Sequence, residues 1–448
     1  MGNPESTTRC ISHSRAILTL RWIYLLSVLL LTMVACGIEN PLATPTASPA
    51  PPSPTSEPMP TTTPLPGSVA GFQPFLVEAS ALKTDQRQEK VNRFMAQLNQ
   101  APLTEGDTAI FLWQGAADSV HLLGDMNGWN AGSPLPLTRL QGSDLWYLQT
   151  HFETEARLDY QFEINGNNYQ LDPLNPNTLM SETGPNSVLT MPGYLTPPEL
   201  LAKEVPAPAG KLNSHTLESR FLEQTRTFVI YEPTGQIVGQ KLPSLYLNNG
   251  GDYLDLIDTA ALLDALITGR HIPPMVVVFL PPVLALEEYS QNDDYVRFLA
   301  DELVPFVQDN YGTDADPEAT GVMGSGLGGL AALYAAQTRP NVFGLAAGQS
   351  VAHSSITESI LERRGGAQSD LSISDLPARI YLVVGTYETA VNIQGEQQNL
   401  LEENRRLVNK LKASGQVIQY EEFPEGHSWG LWRGTFGRAL NYLYNRGP

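Results

Sequence analysis

Cysteine is nearly absent from this chain. Its 448 residues hold two, Cys10 and Cys36, both close to the N-terminus, so no disulfide or cysteine–metal site can form in the remainder. Histidine is sparse as well. The seven histidines show no H-x-x-x-H or related spacing, which argues against a zinc site. Positive charge is short: 27 Lys and Arg stand against 47 Asp and Glu, for a formal net charge of -20. That balance argues against nucleic-acid binding and against electrostatic attraction to anionic lipid. Long apolar runs are confined to one, residues 22–34. Hydrophobic and charged fractions of 42% and 17% are ordinary for globular proteins, and the length allows two or three domains, each with its own core.

The single apolar run follows a basic start, Arg9, Arg15 and Arg21, and ends on the small residues around Cys36. Residues 1–36 therefore read as an export signal. Met33-Val-Ala-Cys36 resembles a bacterial lipobox, which implies cleavage before Cys36 and lipidation of that cysteine. A plain signal peptide or an uncleaved anchor helix is the other reading. Either way the rest of the chain is expected outside the cytoplasm, tethered to a membrane at Cys36 in the first case. Residues 37–70 are rich in proline and threonine. Dense proline holds φ near extended values, so this segment is expected to be a semi-stiff spacer.

Downstream, three patterns succeed one another. Residues 71–104 form a helical lead-in, with Val91, Phe94, Met95 and Leu98 on one face at helical spacing. Residues 105–198 are β-rich. Short apolar or alternating runs at 108–113, 119–123, 145–148 and 158–164 are separated by turn residues, as in an antiparallel sandwich. Residues 199–448 alternate apolar runs (226–231, 244–247, 275–280, 320–323, 342–347, 379–384, 417–421) with amphipathic helices at 254–268, 293–310 and 397–414. That alternation predicts a mostly parallel sheet covered on both faces.

Within this last unit, Thr320-Gly-Val-Met-Gly-Ser-Gly-Leu-Gly-Gly329 leads into the helix-forming Leu330-Ala-Ala-Leu-Tyr. Strand, turn and helix in that order are the context of the G-x-S-x-G nucleophile elbow of α/β-hydrolases. Gly324 and Gly328 take the flanking glycine places. Gly326 takes the central one, and Ser325 sits one residue early. The remaining members of a triad follow in the order that such a fold requires. Glu388 comes immediately after the strand at 379–384, and His427 lies in Phe423-Pro-Glu-Gly-His-Ser-Trp429, after the final strand. The main-chain N–H of Leu327 and one from the loop holding Gly250 and Gly251 are the expected oxyanion donors.

Several stretches together carry a family resemblance. Gly124-Asp-Met-Asn-Gly-Trp129, Asp144-Leu-Trp146 and Leu171-Asp-Pro-Leu-Asn-Pro176 resemble the immunoglobulin-like N-terminal module of enterochelin-esterase-type proteins. Leu245-Tyr-Leu-Asn-Asn-Gly-Gly-Asp-Tyr253, Glu288-Tyr289, Ala300-Asp-Glu-Leu-Val-Pro305, the elbow and Gly426-His-Ser-Trp429 follow the order seen in the enterochelin esterase and esterase D-like family. The resemblance implies an α/β-hydrolase fold preceded by an all-β immunoglobulin-like sandwich. It also implies a serine carboxylic-ester hydrolase site for siderophore-like, feruloyl or acyl esters, and no cofactor. Trp129 and Trp429 become candidate ligand-contacting aromatics. For Trp129 and Trp146 a place in the sandwich core is the competing expectation.

The departures from the family lie where the chemistry is. Gly326 occupies the nucleophile position, Asn249 stands where the family has an aspartate, and Leu284-Ala285 lies where an arginine is usual. Glycine has no atom that can attack a carbonyl. Ser325, offset by one residue on a sharp turn, is expected to point away from His427. Three functions follow from the sequence. The leading one is a lipid-anchored, catalytically degenerate esterase relative that binds a ligand or partner. The others are an esterase using Ser325 and a carbohydrate- or envelope-binding protein acting through the sandwich.

Overall fold

The computed structural model describes residues 67–201, 209–235, 239–352, 377, 379–393 and 395–445. Cys36, the export signal and most of the spacer lie outside the described residues.

The lead-in is two helices, Val69–Ser80 and Thr84–Met95, where the sequence suggested one stretch. Ser68 caps the first, accepting from the Gly71 N–H. Arg87 braces the break: its guanidinium donates to the carbonyls of Ala79, Ser80 and Leu82 at the end of the first helix and in the turn after it.

Two antiparallel sheets follow. One pairs Leu103–Glu105, Thr108–Gln114, Leu145–His151 and Thr138–Arg139. The other is built around Val120–Gly124, Arg157–Ile164 and Gly184–Thr190. Side chains alternate across a strand, and Thr108–Gln114 is buried on both sides. Ala109, Phe111 and Trp113 face the other sheet, against Leu122 and Phe162. Ile110 and Leu112 face the lead-in helices, against Phe72, Phe75 and Phe94. The helices thus cover a sheet face that water would otherwise reach.

The C-terminal unit is one eight-stranded sheet. Its order is Lys211–Ser219, Gln224–Glu232, Val276–Leu280, Ser244–Asn248, Thr320–Ser325, Leu345–Gln349, Arg379–Gly385 and Ile418–Phe423. The first two pairings are antiparallel and the remaining five parallel. Tyr246, Val278, Val322 and Leu382 pack on one side with the helices Gly326–Thr338 and Leu400–Ala413. Leu245, Val277, Met323 and Val383 pack on the other with Thr259–Thr268 and Trp429–Tyr444.

Three boundaries differ from the sequence reading. The helix expected at 254–268 is two, Gly250–Ile257 and Thr259–Thr268, parted by Asp258 in the left-handed region (φ 53°). The helix expected at 293–310 widens to a π stretch at Phe298–Leu303. Pro305 has no N–H to offer the residue 301 carbonyl, and such a gap favours a local π turn. The strand expected at 342–347 begins only at Leu345, because the N–H groups of Val342 and Phe343 turn back to the Arg339 carbonyl.

Phe72 is wholly buried between the lead-in and the first sheet. Phe72→Ala is expected to cost about 3–5 kcal/mol, seen as a lower denaturant midpoint; an unchanged midpoint would mean that the lead-in contributes no stability.

Candidate functional site

The strand Thr320–Ser325 turns into the helix Gly326–Thr338 through Gly326, whose φ is 53°. This left-handed geometry is easy for glycine and strained for serine, and it is the geometry in which a nucleophile elbow holds its central residue. The flanking glycines are required by space. A Cβ on Gly324 would lie 2.5 Å from the Gly328 carbonyl, and one on Gly328 would strike the Asn249 side chain. A Cβ on Gly326 is different. It would meet only Cε1 and Nε2 of His427, each at 4.0 Å.

His427 comes from the loop after Ile418–Phe423. Its Nδ1 lies 2.7 Å from Oε2 of the fully buried Glu388. A carboxylate oxygen accepts, so Nδ1 carries the proton and Nε2 keeps its lone pair on the Gly326 side. The other Glu388 oxygen accepts from the Ser350 hydroxyl at 2.6 Å and the Gly385 N–H at 2.7 Å. Ser350 itself has φ 49°, and its oxygen accepts from the Trp432 indole at 2.9 Å. The Trp432 ring stands perpendicular to the imidazole at 5.0 Å. Base, carboxylate and elbow thus meet at the carboxyl ends of three parallel strands, in the arrangement of an acyl-transfer triad without its hydroxyl.

Ser325 is 3% exposed. Its hydroxyl bonds the phenol of Tyr253, which in turn donates to Gln349, and burial keeps that phenol well above its usual range. No hydrogen bond joins Ser325 to His427 among the described residues. Leu327, the second residue of the elbow helix, lies on the cavity wall. Gly250 and Gly251 do not. Gly250 packs against the backbone of Phe279 and Leu280, so the wall residue from this loop is Asn249, whose N–H is already given to the Tyr289 hydroxyl at 3.0 Å.

The cavity above the elbow has a volume of about 720 Å³ and takes its walls from both the sandwich and the sheet unit. Trp129 lines it, 37% exposed, with its indole N–H held by Asp125 at 2.9 Å. Trp146 is in the sandwich core, as one of the two sequence expectations had it. Trp429 also lines the cavity, 4% exposed and edge-on between Tyr253 and Trp432, so it offers a ligand little surface. Sequence reasoning missed Ser350 and Trp432. Their spacing from Glu388 and His427 carries no local pattern that the sequence could show.

A buried charge cluster fixes the histidine loop to the sandwich. The Arg157 guanidinium reaches Asp159 at 2.9 Å and Glu425 at 3.4 Å, and its backbone N–H donates to the Pro424 carbonyl at 3.1 Å. Asp125 accepts from the Asp159 N–H at 2.7 Å. Burial, and then the negative charge of Asp159, push the Asp125 carboxyl up to about 7. Burial also raises Glu425 to about 7, against the pull of Arg157. Glu425 stands two residues before His427.

The family described as "Putative esterase" matches residues 219–443, half of the chain, and the chain belongs to that esterase family. Over 368 residues it is 24% identical to the iron(III) enterobactin esterase of Escherichia coli O6:H1, covering 72% of this chain and 86% of that protein. It is 28% identical to the Bacillus subtilis protein YjcH over 242 residues, 52% of this chain and 98% of the relative. Among solved structures, the ferric enterobactin esterase of Salmonella typhimurium superposes with a TM-score of 0.66 at 20% identity, covering 79% of this chain and 98% of the other. The enterobactin esterase of Shigella flexneri, solved in the presence of 2,3-dihydroxy-N-benzoyl-serine, gives 0.63 at 21% identity with the same coverage. These likenesses establish the fold.

The raised carboxyls of Asp125 and Glu425 give a pH dependence of defined sign. Between roughly pH 4 and 7 the folded state holds protons that the unfolded state has released, so stability falls as pH rises through that window. The contribution is complete below about pH 4 and gone above about pH 7. Asp125→Asn is expected to flatten this slope in thermal unfolding measured from pH 4.5 to 8. An equally steep slope in the variant would remove Asp125 as a source.

Proposed function

We propose that this chain is a ligand-binding member of the esterase family that has lost hydrolysis. The observation that carries this reading is Gly326, in a retained elbow, with the Glu388–His427 pair aimed at the place where a serine side chain would stand. With no attacking atom, no acyl-enzyme forms and the cavity holds its ligand unchanged. The relatives' names, enterobactin esterase and acetyl esterase, support an ester-sized organic ligand. An esterase that uses Ser325 finds no support, since that hydroxyl is bonded to Tyr253 on the buried side of the turn. A ligand role for the sandwich is favoured by one observation: Trp129 is exposed on the same cavity wall. The lipobox-like Met33-Val-Ala-Cys36 supports a protein tethered by lipid outside the cytoplasm, with the proline-rich spacer giving reach.

Two experiments test this reading. On aryl esters the wild-type protein is expected to turn over no faster than its His427→Ala variant, while Gly326→Ser should raise turnover at least about 100-fold, since a triad serine is worth far more than that. The gain should vanish in Gly326→Ser/His427→Ala. Wild-type turnover lost on His427→Ala and on Ser325→Ala would overturn the loss of hydrolysis. Separately, fatty-acid labelling in a bacterial host should mark the wild-type chain and disappear in Cys36→Ala; label that persists would refute the tether.

A further inference from the structure

The walls of the cavity have a charge sign. Asp125, Asp159 and Glu182 line it, and among the described lining residues there is no lysine or arginine. Asp125 and Asp159 are buried, Arg157 pairs with Asp159, and burial raises Asp125 to about 7, so the charge presented to a ligand is chiefly that of Glu182. Glu182 is exposed at the mouth. The same field reaches Asp252, whose carboxyl is raised by its burial and by the nearby charges of Glu182 and Asp255.

The aromatic groups of the same wall suit that sign. Trp129 and Tyr169 are 37% and 52% exposed and come from the sandwich side, where the carboxylates also lie. The Asp125 carboxylate takes the Trp129 N–H, which draws electron density into the indole ring. Aromatic faces beside carboxylates attract an organic cation by ring quadrupole and by charge together. Opposite them the wall is apolar, with Ala285, Leu327, Val391 and Ile393. Val283, Leu284 and Leu286 flank Ala285 and are themselves exposed.

A multiply charged anion would meet no lysine or arginine among the described lining residues. It would displace water from carboxylates of its own sign, which costs affinity. From these walls we infer that the ligand is a cationic amphiphile, an ester-sized molecule whose positively charged amine nitrogen sits between Trp129, Tyr169 and Glu182 and whose acyl part lies on the apolar side. The inference rests on the ligand-binding reading of this cavity and separates the chain from relatives whose names specify an iron(III) siderophore.

Calorimetric titration of the purified whole chain with three probes tests it. These are butyrylcholine, its uncharged carbon isostere 3,3-dimethylbutyl butyrate, and the anion 2,3-dihydroxybenzoylserine. Butyrylcholine should bind at least about tenfold more tightly than the isostere, and its advantage should shrink in 0.5 M salt as screening takes hold. Glu182→Gln and Tyr169→Ala alter exposed side chains, so both variants should stay folded, and each should reduce the advantage at least about threefold. Equal affinity of cation and isostere, or tightest binding of the anion, would overturn the cationic assignment and leave the binding reading standing. Binding by none of the three would count against both.

Discussion

The hydrogen bond between Glu388 and His427 is the interaction on which the site depends. A carboxylate that loses all contact with water costs several kcal/mol unless its oxygens are met. Here three donors meet it: the imidazole, the Ser350 hydroxyl and the Gly385 N–H. Each donor comes from a different part of the sheet unit, so the bond can form only when the strands Leu345–Gln349 and Arg379–Gly385 and the loop after Ile418–Phe423 are in register. The pair is therefore a folding constraint as well as a chemical one. Breaking it by removing either partner would leave a buried polar group without its match. Both residues therefore have a structural role that does not depend on which residue stands at position 326.

The sandwich bears on the same bond from the other side. Arg157 ties the Pro424–Glu425 backbone to the sheet strand Arg157–Ile164, and Asp125 packs so close to Gly426 that a side chain there would strike it. The loop carrying His427 is thus clamped between the two units. Asp125 also holds the indole of Trp129. One cluster of charges consequently sets both the imidazole and the aromatic wall of the cavity, and the sandwich counts as part of the site.

Much of this was legible in the sequence, and the exceptions have physical reasons. Gly324, Gly326 and Gly328 stand out because a tight strand-to-helix turn needs small residues at fixed spacing. Glu388 could be placed because it follows a short apolar run that reads as a buried strand, and His427 because it lies in a turn-rich loop after the last strand, which is only partly buried. Ser350 was invisible, since its role comes from a left-handed backbone and a partner 38 residues away. The expected oxyanion glycines, Gly250 and Gly251, are not among the lining residues for a related reason: which side of a loop meets the cavity depends on long-range contacts such as that of Gly250 with Phe279 and Leu280. Trp429 and Trp432 lie within one turn of each other and both line the cavity, and helical phase decided which packs edge-on against the imidazole and which against Tyr253.

Gly326 itself is best understood through strain. An elbow that carries a nucleophile holds a residue with a Cβ at positive φ, and such strain costs of order 1–3 kcal/mol. The cost is worth bearing only while that side chain performs chemistry. Here the turn is enforced by other means: Gly324 against the Gly328 carbonyl, Gly328 against Asn249, and the parallel pairing of Thr320–Ser325 with its neighbours on both sides. With the geometry fixed by packing, glycine at the centre relieves the strain and leaves open the space between the turn and His427. Glycine at the centre therefore brings lower backbone strain and more room beside His427 together, because both follow from the same missing Cβ.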